Sequence, residues 1–297
     1  MHLSGSGIQA RFIAIVGAMG SGKSSVIKAG LFPQIRQGAI ANSDRWFIVD
    51  TTPIDSLESV LFSIAVNPSD ELLNQPRNSE QWLTNIIDTI LPDDASELLI
   101  FIDQFEQVFT HDYDDESQRL LLDGIVDAVR VANSRVRIII TLRADFYDHL
   151  LTHPQFAPMM SDCTLILEQL VSQARADAIR LPAEQCHLEF EAELIDTLTA
   201  DETHALPLLQ YAMTELYNKH DGQILTLDAY NSIGGVADAL NRCATDIYMG
   251  FDEAMQAIVR RLFLQMITFG EGVKDHSRRM LRIDMLAIDA DTEAVQH

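Results

Sequence analysis

The stretch Gly17-Ala18-Met19-Gly20-Ser21-Gly22-Lys23-Ser24 constrains this chain more than any other, because it follows an apolar run and precedes a helical pattern. A glycine, four free positions and then Gly-Lys-Ser is the Walker A pattern of a phosphate-cradling loop. Its glycines let the backbone turn tightly enough for successive N–H groups to face an anion. Lys23 is expected to reach the β and γ phosphates of a nucleotide, and the Ser24 hydroxyl to coordinate Mg²⁺. The helix starting near Ser24 aims the positive end of its dipole at the same anion. Ser25 completes the set of expected nucleotide contacts. In the run entering the loop, Arg11-Phe12-Ile13-Ala14-Ile15-Val16, every residue after Arg11 is apolar rather than alternating, as befits a strand buried on both faces.

Further apolar runs at residues 46–49, 98–102 and 136–142, and a weaker one at 163–167, read as strands of the same kind. Between them lie helical patterns at 24–35, 57–64, 82–91 and 120–131. Strand and helix alternate, which predicts an α/β fold: a parallel sheet with helices on both faces. Past residue 170 no convincing strand remains. Helical periodicity takes over, most clearly in Met255, Ile258, Val259, Leu262, Phe263, Met266 and Ile267. Gly222, Gly234-Gly235, Gly250 and Gly270-Glu271-Gly272 punctuate it. The expected division is a nucleotide-binding α/β domain over 1–170 and an all-helical lid region over 171–297.

Composition narrows the function. Of 297 residues, 21 are basic and 44 acidic, a formal net charge of −23. Such a chain repels phosphate backbones and anionic lipid, so neither nucleic acid nor membrane is an expected partner. No apolar run approaches the roughly 18 residues needed to span a bilayer. The first residues lack the basic and apolar regions of a signal peptide. Cys163, Cys186 and Cys243 are odd in number and far apart, which argues against a disulfide framework or a zinc site and for a reducing, cytoplasmic setting. The acidic stretch at 112–116 reads as a solvated loop.

A phosphate loop needs an acid to help hold its magnesium. Leu98-Leu99-Ile100-Phe101-Ile102-Asp103 is an apolar strand ending in a carboxylate, the Walker B form, and makes Asp103 the expected Mg²⁺ partner. Hydrolysis needs a group to polarise the attacking water. Gln104 occupies the position directly after the aspartate, so Glu106 is the candidate, its alternative being a partner for a nearby cation. Arg143 ends the fourth run, at the ligand-facing edge of a parallel sheet. It is either a γ-phosphate sensor or the partner of Asp145 or of another acid of this acidic chain. Leu206-Pro207-Leu208-Leu209 opens a helix with proline in the first turn. His149, His153, His187 and His204 have no metal-ligand spacing and are expected at the surface.

With these motifs in hand, the chain resembles a STAND-class NTPase, and within that class the novel STAND family often found upstream of WD repeats. The resemblance rests on Gly22-Lys23-Ser24-Ser25-Val26-Ile27-Lys28-Ala29-Gly30-Leu31-Phe32-Pro33, on Asp103-Gln104-Phe105-Glu106-Gln107-Val108-Phe109 and on Arg143-Ala144-Asp145-Phe146-Tyr147. Ala205-Leu206-Pro207-Leu208-Leu209, Ile233-Gly234-Gly235-Val236 and Arg278-Arg279 follow in order. It implies an ASCE-type sheet, a helical lid and the start of a truncated winged-helix region. It also implies a nucleotide switch, resting with ADP and assembling when ATP replaces it, with Pro207 near the adenine. His204 departs from the glycine usual before the Ala-Leu-Pro turn. The first strand begins near Arg11, so an upstream nucleotide-clamping segment is expected to be missing, as is a winged-helix histidine beyond His297 that could contact the β-phosphate. The expectation is an ATPase core of a longer signalling protein, with effector and sensor domains and an ATP-dependent homo-oligomer as partners. Two other classes compete. A small-molecule kinase would want an arginine-rich lid, yet residues 37–97 hold only Arg45 and Arg77. A nucleotide-dependent scaffold would bind without hydrolysing.

Overall fold

The computed structural model describes residues 7–55, 57–63, 81–92, 94, 96–110, 113–200, 206–220, 222–268 and 276–277. The chain divides into two compact units, one of residues 1–171 with 204–206, the other of 172–203 with 207–297.

The first unit is built on five parallel strands: β1 (Phe12–Gly17), β2 (Phe47–Thr51), β3 (Leu98–Ile102), β4 (Val136–Arg143) and β5 (Thr164–Ile166), in the order β2-β3-β4-β1-β5. β4 therefore stands between the strand that feeds the phosphate loop and the strand that ends at Asp103. Strand alternation sends side chains to two separate apolar layers. Phe12, Ala14, Val16, Leu98, Ile100, Ile138 and Ile140 face the helices Trp82–Ile90, Asp115–Arg130 and Phe156–Cys163. Ile13, Ile15, Leu99, Phe101 and Ile139 face Ile27, Phe32 and Ile35 on the opposite side. The chain thus has the expected α/β architecture, with both sheet faces covered.

Two local features differ from the expectation. The helix after the phosphate loop is interrupted: a turn at Lys23–Ser25 passes into π-helical winding over Val26–Leu31 and returns to α at Phe32–Arg36. The acidic stretch, expected as a loop, instead starts a helix. Asp114 is the N-cap, accepting from the Ser117 N–H at 2.7 Å, and Asp115 and Glu116 sit in the first turn where the helix dipole favours them.

The second unit is helical, over Ser172–Gln185, Leu194–Ala200, Leu206–Asn218, Leu227–Ile233, Gly235–Gly250 and Glu253–Gln265. Two short ladders add to the expected helices: Glu189–Phe190 pairs with Ile224–Leu225 in parallel, and Ile267–Thr268 with His276–Ser277 antiparallel. Two-residue strands are too short to show alternation, which is why the pattern missed them. In the helix Glu253–Gln265 only Ile258 of the expected apolar face is buried, and Phe263 is exposed. Asp112, His204, Ala205, Gly270-Glu271-Gly272 and Arg278-Arg279 lie outside the described residues. Among those described, no helix is long and apolar enough to cross a membrane.

Candidate functional site

β1 runs into the loop at Gly17, where a Cβ would lie 2.7 Å from the Leu167 carbonyl oxygen and 3.0 Å from Ser21 Oγ. That approach admits only glycine. Gly20 and Gly22 then take φ of +73° and +91°, the left-handed region glycine reaches without strain. Ala18 and Met19 lie between, with Met19 strongly exposed, and Ser21 is buried with no hydrogen-bond partner for its hydroxyl among the described residues. Lys23 donates from Nζ to the carbonyls of Gly17 at 3.0 Å and Ala18 at 2.7 Å. Burial pulls its pKa down, opposed by the charge of Glu106. Ser25 ends the short turn that begins the helix.

Ser24 Oγ donates to Asp103 Oδ1 at 2.8 Å, across 79 residues of sequence. The same oxygen accepts from Thr141 Oγ1 at 2.6 Å and from the Gln104 N–H at 3.1 Å. The Gln104 N–H also donates to Thr141 Oγ1 at 2.9 Å, and Gln104 has φ +56°, unusual for a non-glycine residue. Asp103 is 4% exposed. Its other oxygen, Oδ2, lies 3.6 Å from Lys28 Nζ, which is 3.0 Å from Asp50 Oδ2. Burial works against the Lys28 charge, but the bonds to Asp50 and Asp103 outweigh it and raise the pKa.

Glu106 sits below the end of β4, its Oε2 accepting from the Arg143 N–H at 3.3 Å. Burial pushes its pKa up, against the pull of that N–H and of Lys23. The Arg143 guanidinium grips Asp145 with both Nε, at 3.0 Å, and Nη2, and lies over the Phe146 ring at 5.3 Å from the centroid. Pairing with Asp145 raises its pKa. The phosphate loop, Asp103, Glu106 and Arg143 thus gather at the carboxyl ends of β1, β3 and β4. Pro207 occupies the first turn of Leu206–Asn218, in the second unit.

Three participants were not anticipated. Thr141 could have been noticed as the polar residue in an apolar strand, and Lys28 as one of few cations close to the loop. Asp50 left no signal beyond ending the charge-free part of β2. One histidine, His153, departs from its expected surface position, while His149 and His187 are exposed as expected. The His153 Nε2 is 3.3 Å from Asp123 Oδ1 in a largely buried pair, and the His149 ring packs against Phe109 and Phe146. Asp123 comes from the helix Asp115–Arg130, far away in sequence, so spacing alone does not disclose the pair.

The donor set suits a hydrated magnesium ion. It offers one hydroxyl and one carboxylate, both hard oxygen donors, and leaves the remaining positions to phosphate and water. The orphaned Ser21 hydroxyl and the glycine-formed turn suit a phosphate chain.

Residues 3–297 match the family model described as Novel STAND NTPase 1. A search of curated proteins returned no match. Similar solved structures include a Walker-type ATPase of Pyrococcus abyssi, 14% identical, covering 96% of this chain and 84% of that one, with a TM-score of 0.49. Domain III of the Thermotoga maritima replication initiation protein DnaA is 14% identical over 71% of this chain and 80% of its own, with a TM-score of 0.47. The Aeropyrum pernix ORC1 protein, solved in complex with DNA, is 13% identical over 86% and 66%, with a TM-score of 0.48.

Proposed function

The chain belongs to the novel STAND NTPase 1 family, and from that premise we propose that it is the ATP-binding, Mg²⁺-dependent switch core of a larger signalling protein, slowly hydrolysing ATP to ADP. The observation that carries the reading is the 2.8 Å bond from Ser24 to Asp103, which joins the end of the phosphate loop to the carboxylate at the end of β3.

In this reading Lys23 transfers its ammonium from the Gly17 and Ala18 carbonyls to the β and γ phosphates. Ser24 and Asp103 would hold Mg²⁺, Asp103 through water, and Thr141 orients the Asp103 carboxylate. When bound, the ion would neutralise phosphate charge and stabilise the oxygen that leaves as its bond to the γ-phosphorus breaks. Glu106 accepts a proton from the attacking water, a role its burial-raised pKa favours. Arg143 senses the γ-phosphate by exchanging Asp145 for it, and Pro207 packs near the adenine. The charge of −23 argues against a polyanionic partner, and the three scattered cysteines for a cytoplasmic location. Effector and sensor domains of the parent protein and an ATP-dependent homo-oligomer complete the proposal.

A second reading, a scaffold that binds nucleotide without hydrolysing it, is favoured by the bond that already ties Glu106 to the Arg143 backbone. Calorimetry and single-turnover assays test both. Lys23→Ala should weaken Mg-ATP binding at least about tenfold, equivalent to about 1.4 kcal/mol. Unchanged affinity in a folded Lys23→Ala variant would end the nucleotide reading. Phosphate release in a single turnover, abolished by Glu106→Gln, separates the switch from the scaffold.

A further inference from the structure

The two oxygens of Asp103 are not equivalent. Oδ1 accepts from Ser24 Oγ, Thr141 Oγ1 and the Gln104 N–H, which exhausts its hydrogen-bonding capacity. Oδ2 faces the Lys28 ammonium at 3.6 Å, with no other donor seen on it among the described residues. The same ammonium is 3.0 Å from Asp50 Oδ2 and stands 5.6 Å from the centroid of the Phe101 ring. Asp50 lies on β2, the strand beside β3, and its side chain is partly open to solvent, as is that of Lys28. The lysine therefore has two carboxylates within reach and room to move between them. Its backbone belongs to the π-helical winding, a departure from regular helix that recurs at functional sites.

A hydrated divalent cation approaching Asp103 must use Oδ2, the oxygen Lys28 faces. An ammonium and a metal cannot both stand on one oxygen, since like charges at contact distance repel. We propose that Lys28 is a tethered competitor for the magnesium position: it neutralises Asp103 in the metal-free site and must be drawn off to Asp50 before a metal-bound water docks on Oδ2. The balance between the two carboxylates then sets how much Mg²⁺ the nucleotide site needs. Lys28 is a positioning residue in this scheme, acting through Asp103, and the scheme rests on the magnesium-nucleotide reading above.

Opposite substitutions should move metal affinity in opposite directions. Lys28→Met removes the competitor and keeps the stem, so metal affinity should rise on the order of fivefold, the scale of a partly exposed ion pair. Asp50→Asn removes the alternative resting place, leaves the ammonium on Asp103, and should lower metal affinity by about the same factor. Lys28→Arg keeps a cation and should stay close to the parent. The readouts are Mn²⁺ binding to the nucleotide-loaded chain by electron paramagnetic resonance and the Mg²⁺ dependence of affinity for a fluorescent ATP analogue, with melting temperature as the check on folding. Should Lys28→Met not fold, Lys28→Gln takes its place. Loss of metal affinity in both Lys28→Met and Asp50→Asn, or no change in either, overturns the proposal in favour of a structural ion pair. Failure of the unmutated chain to show any metal dependence sinks the underlying nucleotide reading, and that result needs no variant.

Discussion

Arg143 faces two demands on one guanidinium. Its Nε and Nη2 are committed to Asp145, yet a γ-phosphate sensor would present the same N–H groups to the nucleotide. ATP and ADP differ only by that phosphate, so a switch needs a group with unequal affinity for the two. If Arg143 is that group, Arg143→Ala should bind ADP almost as the parent does and lose about 1–3 kcal/mol of affinity for a non-hydrolysable ATP analogue. Equal loss for both nucleotides, together with a lower melting temperature, would leave the arginine a structural partner of Asp145. Glu106 poses a different question, because burial raises its pKa above the ordinary 4.5. A carboxyl with a raised folded pKa binds more protons folded than unfolded, so its contribution to stability falls as pH rises from about 4.5 towards the folded value. Glu106→Gln, which cannot ionise, should therefore melt higher than the parent at neutral pH. The gap should close as the buffer is taken below the ordinary carboxylate range. A gap that is constant with pH would show that Glu106 ionises as freely in the fold as in the unfolded chain.

Among the elements, β4 does most to assemble the site, since it lies between β1 and β3 and carries Thr141 and Arg143 two residues apart on the same side. Thr141 is 1% exposed and both donates to Asp103 and accepts from the Gln104 N–H. Thr141→Val keeps the shape and deletes both bonds, so it should cost about 2 kcal/mol in urea denaturation. It should also weaken metal-dependent nucleotide binding, while a Thr141→Ser variant should restore most of it. β1, β3 and β4 were legible in the sequence because strands buried on both faces have no reason to interrupt an apolar run. The phosphate loop was legible because its chemistry is local: glycines, lysine and serine act within one turn. Thr141, Lys28 and Asp50 were not, because only the parallel register brings β2, β3 and β4 alongside the loop helix. The helix at Asp115–Arg130 was placed too late for a related reason: the acids that start it look like any solvated acidic run until the N-cap bond to Ser117 is seen.

At the scale of the whole molecule, the two units have different characters. One has a continuous sheet with an apolar layer on each face, and the other a smaller set of buried side chains around Leu194, Leu198, Leu209, Leu216 and Val236. Among the described residues the sheet ends on one side at β5, a three-residue strand bonded to β1, where Leu165 is 40% and Ile166 76% exposed. An open edge with apolar side chains is a template on which a second chain can add. What restrains it is colloidal: two copies, each carrying a formal charge of −23, repel before their edges can meet. That protection extends only as far as the ionic atmosphere, about 30 Å at 0.01 M salt and about 3 Å at 1 M. Light scattering at fixed protein concentration should therefore rise with added sodium chloride, and Ile166→Lys should flatten the rise. The same screening makes the chain's dispersion in solution a property of the surrounding salt as much as of its own fold.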